Sequence, residues 1–152
     1  MMHEWFECKV RYEKMQENGV SKKVTEPYIF DALSFTEAES RIIEEITPYI
    51  SGEFTVSDIK RAKYSEIFFS EDEAADHWFK CKVAFITLDE KSGAEKRSST
   101  YMLVQASDLR DAIKKLDKGM EGCMADYQIT SVTETPILDV YVYTAKKENK
   151  VE

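Results

Sequence analysis

The chain has 152 residues, of which 43% are hydrophobic and 33% charged, and its formal net charge is −8 at pH 7. A chain of this length buries roughly 68–70% of its unfolded surface, so it holds a core without disulfides, and its composition excludes a disordered polypeptide. The acidic balance opposes non-specific attraction to phosphate backbones, and no apolar run approaches the roughly 20 residues of a membrane span.

The first element is the phrase "WFECKV" at residues 5 to 10, which returns as "WFKCKV" at residues 78 to 83. An offset of 73 superposes both tryptophans of the chain and two of its three cysteines. With one residue gained in the next loop, Gly19 falls on Gly93, Lys22 and Lys23 on Lys96 and Arg97, and Ala32 on Ala106. The two halves share a plan, which predicts a tandem duplication.

Phe6, Cys8, Val10 and Tyr12 alternate with Trp5, Glu7, Lys9 and Arg11, and Phe79, Cys81, Val83 and Phe85 with Trp78, Lys80, Lys82 and Ala84. Period two predicts a strand with one buried face. A polar stretch with the matched glycine and a second extended run, "VTEPYIF" or "SSTYMLV", complete a hairpin. The next element changes period: Phe35, Ala38, Ile42 and Ile46, and 74 residues later Leu109, Ala112, Leu116 and Met120, mark one face of a helix. Ser34 with Glu37 has capping-box spacing, and Asp108 with Asp111 places an acceptor cap and an anion in the first turn.

The third extended segment, "FTVSDIKRAKYSEIFF" or "YQITSVTETPILDVYVY", is too long for one typical strand. Pro136 removes a ladder donor in its middle, so a bulge or break is expected there, with a short fourth strand after it. The expected fold is α+β: a tandem duplication of a β-β-α-β unit, antiparallel sheet with both helices on one face, as one continuous sheet or two. The expected boundaries are 1–69 for the first unit, 70–77 for a charged linker, 78–144 for the second unit and 145–152 for a disordered tail.

Chemistry is sparse in this pattern. The chain has two histidines, His3 and His77, each just ahead of a first strand, and no phosphate-loop, dinucleotide or zinc-protease spacing occurs. Cys8 and Cys81 sit on apolar strand positions, where cysteine behaves as a small hydrophobe; Cys123, in a glycine-containing loop, is the one thiol worth testing for reactivity. The odd count of three cysteines, without C-x-x-C spacing, fits reduced thiols, and the opening "MMHEWFECKV" lacks a signal-peptide pattern, so a cytoplasmic protein is expected. No catalytic residue, metal ligand or cofactor is expected.

The remaining feature is the strand face opposite the apolar stripe, where Trp5, Lys9, Arg11, Trp78, Lys80 and Lys82 would lie together. Aromatics among cations stack bases and meet phosphates, tryptophan is enriched at protein interfaces, and the same residues can instead cover a neighbouring loop of the chain. The leading expectation is a protein partner or a homo-oligomer; nucleic acid is the alternative, disfavoured by the net charge, and a reactive-cysteine enzyme the third. The duplicated "WF-CKV" phrase, the "SFTEAE" helix start and the "DIKRAKYSEIFF" segment resemble an uncharacterised bacterial family of Bacteroidetes and their mobile elements, domain of unknown function 4494. The resemblance implies no catalytic residue. In layout alone, the tandem units are similar to a family of large-subunit ribosomal proteins that bind RNA and protein, and the acidic charge departs from that pattern.

Overall fold

Alternation in "EWFECKVRYEKM" and "SKKVTEPYIFDA" builds strands β1 (Glu4–Met15) and β2 (Ser21–Ala32), and the matching runs build β5 (His77–Leu88) and β6 (Glu95–Ala106). Each pair is an antiparallel hairpin over twelve residues per strand. The turns close at Gly19 and Gly93, whose φ values of 82° and 70° suit glycine alone among common residues. These elements belong to a computed structural model that describes residues 4–142; His3 and the tail at 145–152 lie outside the described residues.

Helices α1 (Phe35–Ile46) and α2 (Leu109–Gly119) start where the caps predict. Ser34 Oγ accepts from the Glu37 amide at 3.1 Å, and Asp108 Oδ1 accepts from the Asp111 amide at 2.8 Å. The acids in the first turns reach back in turn: Glu37 accepts from the Leu33 amide at 3.4 Å, and Asp111 from the Ser107 amide at 3.0 Å. A 3-10 turn (Thr47–Tyr49) follows α1. Strands β3 (Phe54–Ala62) and β7 (Asp126–Thr135) then lie antiparallel to β1 and β5, and two three-residue strands, β4 (Glu66–Phe68) and β8 (Asp139–Tyr141), complete the set.

The chain divides into two units. The described residues up to Lys63, with those from Ile137 onward, form the first, and Tyr64–Pro136 the second. In the first, the sheet order is β3-β1-β2-β8 and α1 covers one face, burying Ala38, Ile42 and Ile46 against Phe6, Cys8, Val10 and Phe30. In the second, the order is β4-β6-β5-β7 and α2 buries Ala112 and Leu116 against Phe79, Cys81, Val83 and Val104. Each fully buried side chain of Val, Leu, Ile or Phe size contributes about 1.5–3 kcal/mol, so these stripes hold the helices down. The first stripe positions, Phe35 and Leu109, remain half exposed.

The fold class is α+β as expected, in two sheets with one helix each. It differs from the expectation in three respects. Neither sheet is wholly antiparallel, because β8 pairs parallel with β2 and β4 parallel with β6. The expected units 1–69 and 78–144 become the described residues up to Lys63 with those from Ile137 onward, and Tyr64–Pro136, because the strand after β3 joins the hairpin of the second unit and the strand after β7 joins that of the first. Finally, the stretch 70–77 is not a free linker. Ser70 is held by Gln105 and by Lys115 of α2, Ala75 is 3% exposed, and His77 already begins β5.

Pro136 breaks the long segment as its missing donor requires, between β7 and β8. The bulges lie elsewhere. The β1–β3 register shifts between Lys9 and Val10, and the β5–β7 register between Lys82 and Val83, again 73 residues apart. At both shifts a hydroxyl takes up the strand carbonyl: Ser57 donates to Lys9 O at 3.3 Å and Thr130 to Lys82 O at 3.1 Å.

Candidate binding face and groove

The face opposite α1 carries Trp5, Lys9 and Arg11, and the face opposite α2 carries Trp78, Lys80 and Lys82, so the six residues divide between two sheets. Trp78 leaves the binding set. It is 2% exposed, with the Phe69 ring edge-on at 5.6 Å and the Thr135 hydroxyl donating to its carbonyl. Phe69 reaches it because β4 runs in the second unit's sheet, a placement that local sequence does not reveal. Trp5 is half-buried. Lys80 places Nζ 4.4 Å from the centre of the Tyr101 ring, an intramolecular cation–π contact, and Lys82 is half-buried beside Ser131 in the ladder.

Charge on the first unit's face is balanced. Glu7 pairs with Lys60 at 3.5 Å, Lys9 lies opposite Asp58 in the ladder, and Glu13 opposite Lys23. Of the first unit's candidates Arg11 is exposed, flanked across the ladder by Thr25 and Thr55.

At the hairpin end of this sheet a groove of about 880 Å³ opens beside Arg11. β1 contributes Arg11, Glu13 and Met15; β2 contributes Ser21 and Lys23. The loop after α1 and strand β3 contribute Ser51, Glu53, Phe54, Thr55 and Ser57. With Tyr12 of β1 also in the lining, two cations, two carboxylates, five hydroxyls and the apolar Met15 and Phe54 thus meet in one place. Sequence reasoning found Arg11 alone, since the other members converge only when β3 pairs with β1. The matched positions of the second unit carry different chemistry. Ala84, Ile86 and Leu88 stand where the first unit has Arg11, Glu13 and Met15, and Arg97, matched to Lys23, donates to Gln128 and pairs with Glu95.

The residues considered for reactivity are placed as follows. Burial pushes the Cys8 thiol up to about 12, with Glu7 and Asp58 adding to the shift, and burial pushes Cys81 up to about 11. Neither is a thiolate at neutral pH. Cys123 is exposed, with Sγ 3.6 Å from the Ala125 carbonyl. His77, partly exposed, lies between Asp76 at 3.2 Å and Glu134 at 3.3 Å. Among the described residues, no group of three or more His, Cys, Asp or Glu is arranged to hold a metal ion, and no helix is long and apolar enough to cross a membrane.

The model of the family described as "Domain of unknown function (DUF4494)" matches residues 4–143. The chain belongs to that family. The match spans both units and every strand and helix described above, so the family unit is the pair rather than one half. No curated protein and no solved structure matches the chain.

Proposed function

We propose that the chain is a non-enzymatic, cytoplasmic binding module that takes a segment of another polypeptide in the groove of its first unit. The observation that carries this reading is the groove's mixed lining: Arg11 and Lys23 are matched by Glu13 and Glu53, with hydroxyls and the apolar Met15 and Phe54 between them. A polypeptide offers both signs of charge, backbone donors and acceptors, and apolar side chains, and each finds a counterpart here. A phosphate backbone offers one sign, and the groove's own carboxylates and the net charge of −8 oppose it. The free thiols of Cys8, Cys81 and Cys123 support a reducing compartment.

We read the two units as products of a duplication, supported by the matched bulges and caps, after which the first kept a polar groove and the second replaced it with Ala84, Ile86 and Leu88.

The test is site-specific photo-crosslinking in the native cytoplasm from Thr55, compared with Glu44 on the helix. A discrete protein adduct from Thr55, absent from Glu44, lost in Arg11→Glu with Lys23→Glu and retained in Lys80→Glu, is the expected result. Equal adducts from both positions, or salt-dependent oligonucleotide binding abolished by the same double reversal, would overturn it.

A further inference from the structure

We infer that the partner segment enters the groove as an extended strand, antiparallel to β3 on its free edge. It carries an acidic residue opposite Thr55 and a basic one opposite Glu53. This rests on the groove reading and specifies how the segment is held.

In the order β3-β1-β2-β8, β3 pairs with β1 alone, so alternate backbone amides and carbonyls along it point away from the sheet. Charged side chains on an edge strand discourage further pairing, and β3 distributes them unevenly. Phe54, Thr55, Val56 and Ser57, the half that reaches the groove, carry no charge. Asp58, Lys60 and Arg61 crowd the other half, where Lys60 pairs with Glu7 at 3.5 Å and Arg61 with Glu4. The register shift between Lys9 and Val10 falls at the junction of the halves, and Gly52, at φ 101°, turns the chain at the other end. The open edge is therefore the stretch 54–57.

Charge then selects what the segment carries. Arg11 lies opposite Thr55, and the ladder continued past the pairing of Tyr12 with Phe54 brings Glu13 to Glu53. Arg11, Glu13, Glu53 and Thr55 all line the groove. Neither Arg11 nor Glu53 has an ion pair among the described residues. A strand added about 4.8 Å beyond β3 brings its side chain opposite Thr55 within reach of the Arg11 guanidinium, because the threonine between them is short. Two residues on, its side chain opposite Glu53 meets that carboxylate, with Glu13 behind it. The antiparallel direction is the more stable per residue, and it orders the segment as acid, any residue, base from its N-terminus. The second unit lacks this arrangement: at the matched positions Gln128 replaces Thr55 and is held by Arg97, and Ala84 replaces Arg11.

The probes are two fluorescein-labelled heptapeptides of equal composition, Ser-Val-Glu-Thr-Lys-Val-Ser and Ser-Val-Lys-Thr-Glu-Val-Ser, titrated with the full chain and read by fluorescence anisotropy. The first is expected to bind about tenfold tighter, and Arg11→Glu with Glu53→Lys to invert the preference. N-methylation of the first peptide at Glu or at the following Thr is expected to weaken binding about tenfold at one position and little at the other, since only alternate amides face β3. Equal affinities, no binding of either peptide up to about millimolar protein, or equal effects of the two N-methylations overturn the inference. Photo-crosslinking from Thr55 separates this failure from that of the groove reading. A specific adduct retained while the peptides fail removes only the added strand, and absence of the adduct together with peptide binding removes both.

Discussion

A glycine and three thiols carry the sharpest consequences for single residues. A Cβ on Gly119, the last residue of α2, would lie 2.6–2.9 Å from three atoms of the Phe68 ring, which is half-buried and packed against the core. Alanine gains up to about 1 kcal/mol of helix propensity over glycine, while overpacking costs about 1–3 kcal/mol. Gly119→Ala is therefore expected to destabilise the fold by about 1–2 kcal/mol in a urea titration, and Phe68→Leu in the same chain to recover part of the loss. An unchanged midpoint would show that the ring moves freely. For the thiols, native protein at pH 8 should react with a maleimide at one site, Cys123, and at three after denaturation, because Cys8 and Cys81 are buried and held neutral. Fast modification of a second thiol in the native state would contradict this placement.

Among the elements, the helices are the most local in origin. Their apolar stripes and their caps both appear in the linear sequence, and the structure places Ser34 and Asp108 at the starts as expected. Ser34→Ala and Asp108→Ala are each expected to cost about 1 kcal/mol, the second more because its acceptor is charged. Paired denaturation curves measure both, and a loss below about 0.3 kcal/mol in either would mean that the cap amides find other partners. Strand length was less legible. The long third segments were expected to break or bulge at Pro136, yet the bulges lie opposite Lys9 and Lys82, where the only sequence signal is a hydroxyl residue, Ser57 or Thr130, in otherwise alternating strands.

For the whole molecule, burial couples stability to alkaline pH. Cys8 rises from 9.0 to about 12 and Cys81 from 9.0 to about 11, while Tyr12, Tyr28 and Tyr141 rise from 10.0 to about 12, desolvation leading in every case. Each folded-state value lies above the unfolded one, so the stabilisation is fully present below pH 9 and is lost as pH climbs through 9–12. Asp111 has the opposite sign: the Ser107 amide and Lys115 hold its carboxyl below 3.8, so its contribution is present above that pH and fades as pH falls further. Stability measured against pH should be flat near neutrality and fall steeply above pH 9. A plateau persisting to pH 11 would contradict the burial of these groups.

The sequence by itself determined the strands' buried faces, the two capped helices and the break at Pro136, because each rests on residues within a few positions of one another; the repeated plan shows in the sequence as matches 73 and 74 residues apart. It also named Arg11 as one of six candidates for a binding face. The candidate face was incomplete where tertiary placement intervened: the ring of Phe69, nine residues before Trp78, comes over it beside β4, and β3 carries Glu53, Thr55 and Ser57 to Arg11 from more than forty positions away. Which sheet edge receives each short strand was decided only by the tertiary structure. Glu66-Ile67-Phe68 and Asp139-Val140-Tyr141 have the same pattern of acid, β-branched residue and aromatic, so either suits either edge in local terms. Chain closure and packing against the rest of each unit select the crossed arrangement, and those are properties of the folded molecule rather than of any segment.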